Sequence, residues 1–178
     1  MALDPVLERA SGRRDQNHGG ISSDSWCSPP EVAVPLFDFW GWADCDPCSN
    51  ERSIIKARKR YTEGGLIKPW LEQTYNNNPY SQNEVWADKA IHEMRVGHVA
   101  ELVILCMTAT STRWWHRYMI EPRRNPRVIL TKRLKFLGPG GKPVDSSRFE
   151  PALIYYGKRS AAFDRHFAHV AMWSAWGR

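Results

Sequence analysis

The chain has 178 residues, of which 42% are hydrophobic, so it is long enough to form one domain with a buried core. Lysine and arginine number 25 against 19 acidic residues, and the net charge of +6 favours a polyanionic partner such as nucleic acid. The sequence contains no run of the ~18 apolar residues that a membrane-spanning helix needs, and no apolar signal core stands at the N-terminus. We therefore expect a cytoplasmic protein whose four cysteines stay reduced.

The N-terminal segment differs in composition from the rest of the chain. Residues 1–24 are polar and charged, and we expect them to form a flexible arm before a single domain of residues 25–178. The domain begins with a short predicted helix over 31–40, for which Ser28 and Glu31 have the spacing of a capping box. A proline inside this segment is expected to kink or shorten the helix.

Apolar runs and helical periodicities alternate along the domain. The predicted strands are 43–50 (a strand end with its loop), 73–77, 100–107, 126–130, 134–137 and 151–157. The later predicted helices are 54–60 (with an exposed basic face), 83–95, 111–119 and 163–176. This alternation predicts an α/β fold with a mixed, mostly parallel sheet and helices on both faces. Ligands bind such sheets beyond the carboxyl ends of the strands.

A polar turn with an aromatic residue follows the second of these strands. It consists of Asn77, Asn78, Pro79 and Tyr80, and Pro79 fixes its own φ and biases Asn78 toward extended conformations. An amide, a rigid backbone and a ring within four residues can hold a flat ring that bears an NH2 group. A plain turn is the alternative interpretation, because Asn, Pro and Ser are common turn residues.

These four residues resemble the (Asp/Asn)-Pro-Pro-Tyr motif of amino-group methyltransferases that use S-adenosylmethionine. Over about residues 26–157 the chain is similar to the small phage-type DNA N-6-adenine methyltransferase (Dam) family. The other segments that carry the resemblance are, in chain order, Trp26-Cys27-Ser28-Pro29, Asp46-Pro47-Cys48-Ser49, Gly64-Gly65-Leu66, 108–115 and Arg133-Leu134-Lys135-Phe136. Asn78 departs from the proline of the family, and Gly64 stands where the family tends to carry Asp.

The resemblance implies a compact, Rossmann-like S-adenosylmethionine-dependent methyltransferase fold. It also implies methyl transfer to the N6 amine of adenine in DNA, with site-specific or relaxed specificity. Asn77 and the backbone carbonyl of Asn78 would accept hydrogen bonds from the adenine NH2 group and favour its pyramidal transition state. Pro79 would stiffen the turn, and Tyr80 would stack on a base that has been flipped out of the duplex.

The resemblance further implies a site for the methyl donor, S-adenosylmethionine. Asp46 is expected to bind the donor's ammonium group or a bridging water. A helix is expected to begin after Asp46, so that the N–H groups of Cys48 and Ser49 meet the donor's carboxylate. The other residues assigned to donor binding are Trp26, Ser28, Pro29, Pro47 and Asn77.

Cations alternate with aromatic rings in the second half of the chain. This pattern suits phosphate neutralisation and contact with unstacked bases. The residues assigned to DNA binding are Ser81, Arg113, Trp114, Arg133 and Lys135. At least one of the adjacent tryptophans at 114 and 115 is instead expected to pack in the core.

Several alternatives are compatible with the same residues. Cytosine N4 and a glutamine amide also present a planar NH2 group, although the basic charge disfavours a protein substrate. A non-catalytic nucleic-acid-binding protein that retains the fold is a different class, and Asn78 in place of proline favours it. Cys45 and Cys48 have the spacing of half a metal site, but the sequence lacks a second such pair, so no metal is predicted. Monomer and dimer both stay open, and a phage- or prophage-encoded protein that acts in a bacterial host is expected.

Overall fold

The computed structural model describes residues 23–120, 126–138, 141–144 and 150–175, and its centre is one seven-stranded sheet. The strands are β1 (Ala43–Asp46), β2 (Ala57–Arg60), β3 (Gln73–Asn76), β4 (Glu101–Met107), β5 (Arg127–Thr131), β6 (Pro151–Tyr156) and β7 (Ala171–Ala175). The described helices are α1 (Pro30–Trp40), α2 (Asn83–Arg95), α3 (Arg113–Ile120) and α4 (Ser160–Phe167). The strand order is β2-β1-β3-β4-β6-β5-β7, which confirms a mixed α/β sheet.

Parallel and antiparallel pairings divide the sheet into two halves. Strands β2, β1, β3 and β4 pair in parallel. Strand β6 is antiparallel to both β4 and β5, and β7 is antiparallel to β5. Strand β5 therefore runs in the same direction as the four parallel strands, and the carboxyl ends of these five strands lie at one edge of the sheet.

Helices cover both faces of the sheet, as predicted. Helices α1 and α4 pack against each other on one face, where the core includes Phe39 and Phe163. Helices α2 and α3 pack on the other face, where the core includes Trp86 and Trp115. Alternate side chains of β4 belong to the two layers, so this predicted strand is buried on both faces. Within the described residues, no helix has both the length and the apolar character needed to cross a membrane.

Helix α1 continues through Pro35 to Trp40, so the predicted shortening is wrong. A proline has no N–H group and leaves the carbonyl four residues earlier without its helical donor. That carbonyl belongs to Glu31, and the Nε2 atom of His169 lies 3.1 Å from its oxygen. The imidazole therefore replaces the missing donor and allows the helix to contain a proline.

The predicted capping box at the start of α1 is also wrong. The N-cap residue is Pro29, which makes no side-chain capping bond, and its carbonyl accepts from the N–H groups of Val32 and Ala33. The hydroxyl of Ser28 is instead 2.6 Å from the hydroxyl of Tyr75 on β3. Ser28 therefore links the segment before α1 to the sheet.

The helix predicted over 54–60 is wrong, because Ala57–Arg60 forms strand β2 at the edge of the sheet. Parallel pairing with β1 satisfies the backbone there and outweighs the helical pattern of the sequence. Ala57 is buried, whereas Arg58, Lys59 and Arg60 are exposed. Their charges discourage the free edge of β2 from pairing with another chain.

Two predictions in the last third of the chain are wrong in part. Leu134 and Phe136 are buried, as an alternating pattern requires, but the segment 134–137 forms no strand, and Leu137 makes isolated bridges only. The helix predicted over 163–176 ends at Phe167, and Ala171–Ala175 forms β7 beside β5. The helical spacing of apolar residues continues past Phe167, and it gives no indication that residues 171–175 pair with β5 as a strand. The predicted arm falls almost wholly outside the described residues.

Candidate active site

The candidate residues meet at the carboxyl ends of β1 and β3. Strand β1 lies between β2 and β3, so the strand order reverses at β1, and open α/β sheets bind ligands in the crevice at such a reversal. Asp46 ends β1 and Asn76 ends β3. Because Cys45 pairs in register with Thr74, these two strand ends are neighbours. The segments 46–49 and 77–80 therefore lie beside each other.

Asp46 is a buried carboxyl group with only 3% of its surface exposed. Burial raises its pKa to about 6, although hydrogen bonds from Ser49, Cys48 and Ser53 and the charge of Arg60 act in the opposite direction. The N–H group of Cys48 is 3.3 Å from Oδ1, and the Ser53 hydroxyl is 3.4 Å from Oδ2. The site thus holds a carboxyl group whose charge is costly until a cation approaches.

The helix predicted to begin after Asp46 is wrong, because the chain turns there and continues into β2. The N–H group of Ser49 donates to the carbonyl of Tyr61 at 2.9 Å, and that of Cys48 faces Asp46. These amides are therefore oriented by the turn itself rather than by a helix terminus. The assignment of Cys48 and Ser49 to donor binding stays a prediction.

Arg60 stabilises this turn through three hydrogen bonds, although the sequence did not predict it as a residue of the site. Its Nε atom donates to the hydroxyl of Ser49 at 2.9 Å. Its terminal nitrogen donates to the carbonyls of Asn50 at 2.7 Å and Ser53 at 3.0 Å. The error in predicting β2 as a helix concealed this role, because only a strand beside β1 brings Arg60 to the turn.

Gly65 packs directly against the same turn. A Cβ atom at this position would lie 1.8 Å from the carbonyl oxygen of Pro47, so no other residue fits without a backbone shift. The carbonyl of Gly65 accepts from the indole nitrogen of Trp70 at 2.7 Å, which fixes the segment in place. The Gly64-Gly65-Leu66 segment is therefore part of the site through backbone packing.

The polar loop after β3 is attached to the segment before α1. The side-chain amide of Asn77 donates to the carbonyl of Trp26 at 3.3 Å. The ring of Tyr80 meets Phe136 edge to face, with ring centroids 6.2 Å apart. The Tyr80 hydroxyl is buried without a partner among the described residues, and burial raises its pKa well above the usual value.

Asp24 is a second residue that the sequence analysis missed. Its carboxylate accepts from the backbone N–H of Ser81 at 3.1 Å and from the Ser81 hydroxyl at 2.5 Å. Asp24 is also close enough to Cys48 that it contributes, after burial and Asp46, to raising the pKa of that thiol to about 12. Asp24 is part of the predicted flexible arm, so the sequence did not indicate that its carboxylate lies between the two segments of the site.

Three buried asparagines form a chain of hydrogen bonds beneath the loop. Asn76 donates to Asn78 at 3.1 Å, and Asn78 donates to Asn83 at 2.8 Å. Asn83 then donates to the backbone carbonyl of Tyr80 at 2.8 Å. The Oδ1 atom of Asn76 is buried and has no partner among the described residues.

The residues assigned to DNA binding lie at the same edge of the sheet. Arg113 begins α3 after the carboxyl end of β4, and Arg133 and Lys135 follow the carboxyl end of β5. All three side chains are exposed, whereas Trp114 is partly buried and meets Trp115 edge to face at 5.8 Å. Trp115 packs in the core, as expected for one of the pair. Contact with DNA stays a prediction for this set.

The cysteines lie apart from any metal-binding cluster in the described part of the chain, where no three His, Cys, Asp or Glu side chains are grouped suitably. Burial, followed by the charge of Asp46, raises the pKa of the Cys45 thiol to about 12. Burial also raises the pKa of Cys106. These thiols are therefore protonated at neutral pH.

Comparison with known proteins identifies a relative and a family for this chain. The sequence is 28% identical, over 131 residues, to a DNA N-6-adenine-methyltransferase of Escherichia phage T1. The match covers 71% of this chain and 52% of the phage protein, so the chain spans about half the length of this curated relative. The profile of the DNA N-6-adenine-methyltransferase (Dam) family matches residues 17–170. Since that match covers strands β1 to β6 and both segments of the site, the chain belongs to the DNA N-6-adenine-methyltransferase (Dam) family.

Proposed function

We propose that the protein transfers a methyl group from S-adenosylmethionine to the N6 amine of adenine in DNA. One observation carries this proposal: the turn at Asp46 and the loop at Asn77–Tyr80 lie at the neighbouring carboxyl ends of β1 and β3. A donor bound at the first segment and an amine held at the second would be adjacent, and such orientation accounts for a large part of catalysis in group transfer. Family membership gives independent support.

We also assign the fold to the Rossmann-like class of S-adenosylmethionine-dependent methyltransferases. The parallel half of the sheet, the reversal of strand order at β1 and the helices on both faces support this assignment. In this class the ligand lies beyond the strand ends at the reversal. The antiparallel strands β6 and β7 extend the sheet on the far side of β4.

The residues at the end of β1 fit S-adenosylmethionine. Asp46 is a buried carboxyl group, and the ammonium group of the donor would stabilise its charged form. The unpartnered Oδ1 atom of Asn76 is a buried acceptor that suits a donor hydroxyl or amine. Trp26, Ser28, Pro29, Pro47, Cys48 and Ser49 complete the proposed donor site. S-adenosylmethionine, when bound, supplies a methyl group that its sulfonium charge already activates.

The residues of the loop would orient the adenine amine. Because the side-chain nitrogen of Asn77 donates to Trp26, its oxygen is the atom left to accept from the NH2 group. The carbonyl of Asn78 would be the second acceptor, and two acceptors favour the pyramidal nitrogen whose lone pair can react. Pro79 stiffens the loop, and Tyr80 would stack on the flipped base.

DNA is the proposed macromolecular partner. The net charge of +6, the exposed Arg113, Arg133 and Lys135, and the position of all three at the edge that carries the motif support this. Ser81 and Trp114 complete the proposed DNA contacts. The phage T1 relative supports a phage- or prophage-encoded enzyme that acts on DNA in a bacterial host.

Labelled methyl transfer to unmethylated DNA, followed by nucleoside separation, tests the proposal. We expect label in N6-methyladenine, and Asn77→Ala should lower kcat by about 10²–10³ because one transition-state acceptor is lost. Gln82→Ala, at an exposed position near the loop, is the control and should transfer normally. Label confined to N4-methylcytosine would reassign the substrate. Donor binding without transfer to any DNA would contradict catalysis and indicate a binding protein.

A further inference from the structure

The chain departs from the family motif at Asn78, and the structure indicates what replaces the missing proline. We propose that Asn83, at the start of α2, is a positioning residue that acts through Asn78 to hold the methylation loop in its working shape. This proposal rests on the proposed function, because the loop matters only if it orients an amine. Neither the motif nor its spacing points to Asn83, which lies outside Asn77–Tyr80.

The hydrogen bonds run from the end of β3 to the first residue of α2. Asn76 Nδ2 donates to Asn78 Oδ1 at 3.1 Å, Asn78 Nδ2 donates to Asn83 Oδ1 at 2.8 Å, and Asn83 Nδ2 donates to the Tyr80 carbonyl at 2.8 Å. The three side chains are at most 4% exposed. Buried amide networks of this kind are rigid when satisfied and costly when broken. These three side chains therefore form a brace that connects the two ends of the loop.

One backbone carbonyl fixes the direction of the entire brace. The carbonyl of Tyr80 can only accept, so Asn83 must turn its NH2 group toward Tyr80 and its oxygen toward Asn78. Asn78 must then direct its NH2 group to Asn83 and its oxygen to Asn76. No alternative orientation of the amides satisfies all three bonds. The loop consequently has one hydrogen-bonding arrangement.

The brace also leaves the proposed catalytic carbonyl available. The carbonyl of Pro79 accepts from the Asn78 side chain at 3.1 Å and from the Gln82 N–H at 3.0 Å, and the carbonyl of Tyr80 accepts from Asn83. In the described part of the chain, no hydrogen bond is made to the carbonyl of Asn78 or donated by its backbone N–H. Proline could therefore occupy position 78 without loss of a backbone bond, as in the family motif.

A double-mutant cycle tests whether Asn83 acts through Asn78. In the natural background, Asn83→Ala should lower kcat by about 10-fold or more while the Kd for S-adenosylmethionine changes by less than about twofold. In an Asn78→Pro background, whatever its own kcat, Asn83→Ala should lower kcat by less than about threefold, because the bond to Asn78 is already gone and only the bond to the Tyr80 carbonyl is lost. Glu84→Ala, at an exposed neighbouring position of α2, is the control. Equal losses in both backgrounds, or no loss in the natural one, would overturn the proposal.

Hydrogen–deuterium exchange separates failure of the brace from failure of the proposed function. Asn83→Ala should speed exchange of the Ser81 and Gln82 amides strongly in the natural background and much less in the Asn78→Pro background, where only the bond to the Tyr80 carbonyl is lost. A protein without methyltransferase activity that still shows this pattern contradicts the proposed function and supports the brace. If the protein is an active methyltransferase but Asn83→Ala does not change amide exchange in the loop, the proposed function is retained and the brace is overturned.

Discussion

The two segments of the candidate site are stabilised by different kinds of polar interaction. The turn after β1 depends on charge, because the buried carboxyl of Asp46 lies beside hydroxyl donors and the guanidinium of Arg60 holds the turn closed. The loop after β3 depends on neutral amides, which connect Asn76, Asn78 and Asn83 without any charged group. Both segments lie at the same edge of the same sheet.

This difference matches the ligands proposed for the two segments. The methyl donor carries positive charge, which a buried carboxylate stabilises, whereas the adenine amine is neutral and needs acceptors of fixed direction. The same difference predicts that the two segments respond differently to pH. The pH should affect the turn strongly between the ordinary pKa of Asp46 and its raised value of about 6, while the amide loop should not respond.

The largest expected effect comes from Gly65→Ala, which would damage the turn and leave the loop intact. The new Cβ would lie 1.8 Å from the Pro47 carbonyl oxygen, so the turn must move. We expect the free energy of unfolding to fall by about 3 kcal/mol, at the upper end for overpacking, together with loss of donor binding. Urea unfolding and calorimetry with S-adenosylmethionine measure the two effects.

Gly97→Ala is the matched control for that substitution. A Cβ there meets nothing within 4 Å, although φ is +82°, so only the backbone conformation is strained. We expect a loss of about 1 kcal/mol and unchanged donor affinity. Equal losses for the two variants would contradict the close contact between Gly65 and the donor turn.

The second prediction concerns the charge of Asp46. Its folded pKa is raised to about 6, so its favourable contribution to stability is fully present below the unfolded value near 3.8 and is lost as the pH rises through about 6. Asp46→Asn removes the group that titrates, so the variant does not lose this stability as the pH rises. We expect the free energy of unfolding of the variant to exceed that of the natural protein by about 3 kcal/mol at pH 7.5 and by less than about 1 kcal/mol at pH 4.

Donor binding should respond in the opposite direction. Since the donor's cation favours the ionised carboxylate, the affinity of the natural protein for S-adenosylmethionine should rise between pH 5 and 7, and that of Asp46→Asn should be weaker and flat. Urea unfolding and calorimetry at each pH provide both curves. If the affinity of the natural protein for S-adenosylmethionine does not rise with pH, the positive charge of the donor binds away from Asp46.

The fold was largely predictable where one pattern had a single explanation. The continuous apolar run of β4 and the periodicity of α2 identified a buried strand within one residue of its observed bounds and a helix with its observed bounds. Strand β2 was not predictable, because its one buried residue, Ala57, gives no alternation. Strand β7 follows a helix whose apolar spacing continues into it, and only pairing with β5 separates the two.

The site was predictable where backbone order brings residues together. Asp46 ends one of two adjacent parallel strands and Asn77 follows the other, so their proximity follows from the strand order. Arg60, Asp24 and Asn83 were missed, because each contributes through a side-chain hydrogen bond that the sequence pattern does not reveal. Sequence spacing specifies strand ends, but it carries no information on which polar group a long side chain reaches.

The smallest expected effect tests whether the segment after β5, at the edge of the sheet that carries the site, contacts DNA. Lys135 is exposed after β5 at the motif edge, whereas Lys56 is exposed before β2 at the opposite edge. Lys135→Ala should weaken DNA binding roughly threefold and reduce the salt slope by about 1, since one phosphate contact is lost. Lys56→Ala should change neither quantity, and both variants should keep normal affinity for S-adenosylmethionine. Fluorescence anisotropy with a labelled duplex over a salt series measures the slopes. Equal slopes for Lys135→Ala and the natural protein would move the DNA contact away from the segment after β5, and the division of the edge between donor and DNA would have to be redrawn.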